Sequence, residues 1–226
     1  VIVAQASDGF VDWAWIGGHL DEIWDKTAEH LVLTGIALGI GLAISLLLGA
    51  LALRFRRSYG PITWITGALY SIPSLALFAF LVPITGFTTL TAEIGLVSYT
   101  LLILIRNIVA GIDGVSADVK EAALGMGYGR ARLFFAIELP LALPVIVAGM
   151  RIAAVTTIGL VTVTALIGKG GLGFFILRGL QRFSSTVGST EILLGTLLSV
   201  ALAVVVDVSL LLLQRALTPW TRREAA

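Results

Sequence analysis

Five stretches of roughly twenty residues dominate the chain: about Leu31 to Leu53, Ile62 to Val82, Ala92 to Ile112, Leu141 to Ile167 and Ile192 to Gln214. Each is long and apolar enough to cross a bilayer, and only helices and closed barrels satisfy their own backbone in hydrocarbon. Barrel strands are about half this length and alternate polar with apolar. These runs do not alternate, so the chain reads as an all-α integral membrane protein with five transmembrane helices. Composition agrees. The 226 residues are 58% hydrophobic and 13% charged, against about 45–50% and 25% in soluble domains. Disorder needs the opposite balance.

Several chemistries drop out. There is no cysteine, hence no disulfide, thiolate ligand or thiol nucleophile. The two histidines, His19 and His30, stand near the N-terminus and make no metal site alone. A net charge of +1 from scattered residues gives no footprint for nucleic acid. The one Gly-Lys pair, Gly168-Lys169, is followed by Gly170, and position 163 is valine, so no P-loop is present. No nucleophile–histidine–acid set stands out, so the chain is read as a non-enzyme with no catalytic residues. The opening Val-Ile-Val has no basic region before an apolar stretch, and no cleavable signal peptide is expected.

Residues 1–30 hold Trp13, Trp15 and Trp24 among six acids and one base, Lys26. Tryptophan favours the membrane interface, so His19 to His30 is predicted as an amphipathic helix on the bilayer surface. Lysine and arginine set orientation. With the N-terminus outside, nine bases fall inside, from Arg54, Arg56 and Arg57 through Lys120, Arg130 and Arg132 to Arg215, Arg222 and Arg223. Four fall outside, and Arg106 and Arg151 lie within spans. The prediction is N-terminus outside, C-terminus cytoplasmic, with residues 31–217 one five-helix domain and 218–226 a cytoplasmic tail. The outside bases Lys169, Arg178 and Arg182 fall in one segment, Lys169 to Arg182, glycine-rich at its start, read as a re-entrant or gate element packed on protein.

Within the spans, Gly35 and Gly39 form a close-packing pair, and Pro61 is predicted to open the second span. Pro73, in Ser71-Ile72-Pro73-Ser74, removes a mid-span helix bond. Either a simple kink follows, or a broken helix beside a translocation path in which Ser71 and Ser74 hydroxyls and water satisfy the freed carbonyl. Arg151 and Asp207 fall at matched depth, ~12–15 Å at a rise of ~1.5 Å per residue. Isolated charges there are costly, so the two are expected to pair, with Arg106 the competing base. Tyr70, Tyr99, Phe78 and Phe80 are the aromatics available for a quaternary-ammonium cage; packing is their ordinary role.

Between the third and fourth spans, 113–140 is polar, then mixed. Asp118 can cap a helix and Glu121 reach back to it. Gly125, Gly127 and Gly129 permit a turn, and a second helix, Arg130 to Leu139, is expected to stop at Pro140. This string carries a resemblance. Glu121-Ala122-Ala123, then Gly127, Ile137, Leu139 and Pro140 at their spacing resemble the EAA loop of ABC importer permeases. Ser71 to Phe78, Arg106-Asn107, Glu138 to Pro144 and Gly170 to Gly173 are similar to osmoprotectant permeases. Lys169 departs from that pattern, as does the absence of a proline in Leu102 to Ile105.

The resemblance implies a MetI-like fold whose cytoplasmic helix pair is the coupling element. It implies import of glycine betaine, choline, carnitine or proline. It also implies ABC ATPase subunits that bind ATP and Mg, a second permease copy in a homo- or heterodimer, and an extracytoplasmic substrate-binding protein. The lipid membrane would be a prokaryotic cell (inner) membrane. Glu121 is then either a cap or an ionic contact to the ATPase. An ABC permease for another cargo such as methionine, and an ATP-independent channel or secondary carrier, are the alternatives. The fixed EAA spacing argues against a channel.

Overall fold

The computed structural model describes residues 11–219, so the tail bases Arg222 and Arg223 and most of the predicted tail lie outside the described residues. Every regular element among them is helical: α1 Trp13–Gly18, α2 Leu20–Arg54, α3 Arg56–Ser71, α4 Ser74–Thr85, α5 Thr89–Asp113, α6 Ala117–Gly125, α7 Arg130–Leu133, α8 Leu139–Val163, α9 Gly173–Gln181 and α10 Thr186–Leu217. Four uninterrupted stretches are long and apolar enough to cross a membrane: α2, α5, 130–167 and α10. The pair α3 and α4 makes a fifth if counted across its break.

Three boundaries differ from expectation. The surface helix ending at His30 does not exist separately: α2 runs 35 residues without interruption, ~52 Å at ~1.5 Å per residue. No proline interrupts it, and Thr27 turns its hydroxyl onto the Ile23 carbonyl of its own helix at 2.7 Å. Pro61 sits inside α3 instead of opening it. Pro83, one residue past the predicted second span, lies within α4. The chain then turns at Gly86, whose φ is +74°.

The helices gather into two compact units. The first comprises 11–36, Ser74–Leu96 and Ile158–Ala203. His30 is fully buried there, its Nε2 3.0 Å from the Ile158 carbonyl and its Nδ1 accepting from the Leu172 amide at 3.3 Å. The glycine-rich stretch packs against this spot. A Cβ on Gly171 would lie 2.6–2.8 Å from His30 atoms, and one on Gly173 would collide with the Thr162 carbonyl. Glycine is needed because backbone meets backbone. On α9, Phe175 and Gly179 are buried, so this segment packs on protein.

The second unit comprises Ala37–Pro73, Val97–Thr157 and 204–219. Ala52, Ile105 and Val109 form one cluster with Leu48, Tyr59 and Ile62 around it. Ile108, Ile112, Ala142 and Ile146 form another, flanked by Leu53, Phe134 and Leu139. The close approaches fall at Gly41 on Thr100, Gly49 on Ile108 and Gly149 on Asn107. At Gly35 and Gly39, the pair expected to pack, an added Cβ would meet nothing within 4 Å.

Candidate functional site: the loop between α5 and α8

After α5 the chain turns through Gly114 and Val115. Ser116, not Asp118, caps α6, accepting from the Asp118 amide at 3.3 Å. Asp118 stands in the first turn, where its charge suits the helix dipole. Ala123 is fully buried, while Glu121 and Ala122 face solvent. The Glu121 side chain makes no hydrogen bond or ion pair among the described residues. Leu124 and Met126 are exposed at 51% and 68%, outside any span.

The C-terminus of α6 is a Schellman cap. Tyr128 N–H donates to the Ala123 carbonyl at 3.1 Å, and Gly127 N–H to Leu124 at 2.9 Å. Gly127 makes this possible with φ +83°. A Cβ there would meet nothing, so within this chain its role is the backbone angle, not close approach. The turn delivers the chain to α7, with the Arg132 guanidinium 4.2 Å from the Tyr128 ring.

The second short helix does not stop at Pro140. One π-type turn, Phe134–Glu138, joins α7 to α8, with Leu139 N–H donating to the Phe134 carbonyl. The wider turn takes Pro140 at the second position of α8 without ending the helix. Ile137, Leu139 and Pro140 are half-buried in this passage. Ile137 and Pro140 line a cavity of about 370 Å³ with Val119, Ala136 and Leu141.

Two ion pairs fasten the loop, and neither was singled out in the sequence. Lys120 lies 3.2 Å from Glu138 and donates to the Ile112 carbonyl at 3.2 Å, joining α6 to the π-type turn ahead of α8 and to α5. Arg56 grips Asp113 with two bonds of 2.6 Å, tying the start of α3 to the end of α5. Only adjacency to Glu121 and Leu139 in the motif hinted at Lys120 and Glu138.

The other predicted residues lie elsewhere. α3 ends at Ser71 and α4 begins at Ser74, with Ile72 extended between. Pro73 therefore breaks the helix instead of kinking it. The carbonyl that Pro73 frees, four residues back at Leu69, accepts from the Ile72 amide at 3.3 Å and from neither serine; the Ser71 hydroxyl donates to Ala68, and the Tyr99 hydroxyl donates to the Ile72 carbonyl inside the break at 2.5 Å. Ser71 and Pro73 are exposed and Ser74 half-buried. Tyr70 meets Tyr99 edge to face at 5.9 Å, and Phe78 is buried against Gly95, so these rings serve packing. Arg151 and Asp207 form a bidentate pair at 2.8 and 2.8 Å, half-buried beside a cavity of about 500 Å³. Arg106 stands apart from them, exposed in a groove along α3.

In the first unit Arg178 holds Glu22 at 2.9 and 3.1 Å and the fully buried Glu191 at 2.6 Å, with the Phe174 ring 4.6 Å away. Burial opposes the arginine's charge, but the two carboxylates outweigh it and its pKa stands above the ordinary value. The sequence places Arg178 in the segment read as a re-entrant or gate element and offers no partner for its charge. Its partners are 156 and 13 residues away, which local pattern does not reveal.

An interrupted second span, a braced helix–turn–helix and all-helical architecture can be set against known proteins. Residues 24–223 match the family described as binding-protein-dependent transport system inner membrane component. The choline transport system permease protein OpuBB of Bacillus subtilis is 36% identical over 199 residues, 88% of this chain and 89% of that protein. The carnitine transport permease protein OpuCB of Listeria monocytogenes is 35% identical over 219 residues, 96% and 97% of the two chains. In fold, the chain superposes on a chain of the inward-facing MetNI methionine ABC transporter with a TM-score of 0.71, at 21% identity, over 92% of this chain and all of the other. With the family match covering nearly its whole length, this chain belongs to the inner membrane components of binding-protein-dependent transport systems.

Proposed function

We propose that the chain is the permease subunit of an ATP-binding cassette importer for small quaternary-ammonium osmoprotectants such as choline, glycine betaine and carnitine. The observation that carries this reading is the outward face of the α6–α7 loop. The charged helix α6 and the turn after it, outside the spans, present Leu124 and Met126 to solvent beside the unpaired Glu121. Exposed apolar side chains on a polar, rigidly braced element are what a docking surface requires. In this reading the surface seats on an ATPase subunit that binds ATP and Mg. Each ATPase movement reaches α5 and α8 through Lys120, Glu138 and Arg56–Asp113, a lever between two-state parts. Two permease copies enclose the path, an extracytoplasmic binding protein delivers cargo, and the loop faces the cytoplasm with the N-terminus outside. The cargo class follows the names of the relatives.

The test is reconstitution with the cognate ATPase and binding protein in proteoliposomes, followed by radiolabelled uptake. The expected result is ATP-dependent accumulation of at least one quaternary-ammonium osmolyte. Uptake that ignores ATP would favour a channel or carrier, and accumulation of methionine alone would overturn the cargo class.

A further inference from the structure

The arginines at the membrane-spanning helices of the second unit are not alike. Arg151 is neutralised by Asp207 and Arg56 by Asp113. Arg106 has neither hydrogen bond nor ion pair to its side chain among the described residues, and it is exposed. It lies seven residues before the end of α5. A bare guanidinium at that position faces protein interior or water, not lipid.

What it faces on this chain is one side of α3. Gly60, Thr63, Trp64, Gly67, Ala68 and Ser71 share a helix face and with Arg106 line a groove of about 560 Å³. The hydroxyls of this face are already committed: Thr63 donates to Tyr59 and Ser71 to Ala68, both at 2.8 Å. The guanidinium, with the Trp64 indole N–H, is left as an open donor of the groove. Its aromatic wall is Trp64, 75% exposed. The Arg56–Asp113 bridge aligns the start of α3 with the end of α5. From that bridge Trp64 is eight residues along and Arg106 seven, ~12 and ~10 Å at ~1.5 Å per residue, so the two stand at about the same height.

A planar fork of donors fits a carboxylate, and an indole face fits a quaternary ammonium. We propose that Arg106 and Trp64 form a transient site on the translocation path, where Arg106 takes the carboxylate of a zwitterionic osmolyte and Trp64 its quaternary ammonium. This rests on the transport function proposed above. Arg106 then discriminates cargo: betaine and carnitine carry a carboxylate, choline does not, and all three carry the ammonium.

The experiment compares ATP-driven uptake of glycine betaine, carnitine and choline by the reconstituted transporter carrying wild-type, Arg106→Gln, Arg106→Lys or Trp64→Ala permease. Basal ATPase turnover is read alongside. Arg106→Gln is expected to lower kcat/KM for betaine and carnitine at least tenfold, with choline and basal ATPase within twofold of wild type. Arg106→Lys should fall between, and Trp64→Ala should lower all three cargoes together. If the wild type carries no choline, intact basal ATPase turnover with lost betaine uptake is the expected pattern. Equal loss of all cargoes with Arg106→Gln, or loss of basal turnover, overturns the site in favour of a structural role. Unchanged uptake, or wild-type import of choline alone, overturns it as well. A wild type that imports none of the three refutes the transport reading itself.

Discussion

Gly127 offers the cleanest perturbation of the loop between α5 and α8, because its effect is confined to the backbone. At φ +83°, with open space where a Cβ would go, the Cβ itself meets no obstacle but few residues tolerate the angle. Holding a non-glycine residue in the left-handed region costs about 1–2 kcal/mol. The Tyr128–Ala123 and Gly127–Leu124 bonds of the cap are at stake. The loop relieves that strain by opening, so Gly127→Ala should raise the opening equilibrium of α6 about 5–30-fold. Gly127→Asn, which accepts this backbone region, should stay near wild type, and Gly127→Val should exceed Ala. Amide hydrogen exchange over 117–133 in the lipid-reconstituted permease reads the opening, and ATPase co-purification reads the consequence. A ranking by side-chain volume, with Asn as harmful as Val and Ala mild, would refute the backbone argument and point to close approach by a partner.

Removing one member of the Arg151–Asp207 pair strands a charge. Asp207→Asn should therefore reduce membrane abundance or uptake more than Asp207→Asn combined with Arg151→Gln, and a double variant no better than the worse single would uncouple the two. Gly171→Ala combines φ +47° with a Cβ 2.6–2.8 Å from His30 atoms. It should abolish folded material in size-exclusion chromatography, whereas Gly35→Ala, with open space at its Cβ, should be tolerated. For orientation, the chain lacks cysteine, so Asp12→Cys should react with an impermeant thiol reagent in whole cells and Arg57→Cys only after lysis. The reverse pattern would invert the topology.

Composition and run length alone determined the class of this protein, because burial of backbone in lipid leaves helices as the answer wherever twenty apolar residues run together. The helix–turn–helix at 117–133 was legible for a related reason: spaced glycines between two short helices are local features, read from neighbours in the chain, although the cap is Ser116 and not Asp118. Where each helix begins and ends was less legible. Pro140 and Pro61 signalled boundaries, but a π-type turn carries the first through and α3 runs past the second. Proline removes one bond, and its surroundings decide whether that ends a helix. Pro73 did end one, and the Tyr99 hydroxyl that bonds the Ile72 carbonyl inside the break is 27 residues away. Equal depth on neighbouring spans put Arg151 and Asp207 forward as partners. No such argument reaches Arg178 with Glu22 and Glu191, or Arg106 beside Trp64, since which face of a helix meets which neighbour depends on rotation about its axis. In a chain apolar on nearly every side, the hydrophobic pattern does not encode that rotation. Close contacts such as Gly41 on Thr100 and Gly171 on His30 set it, and they exist only once the helices are assembled.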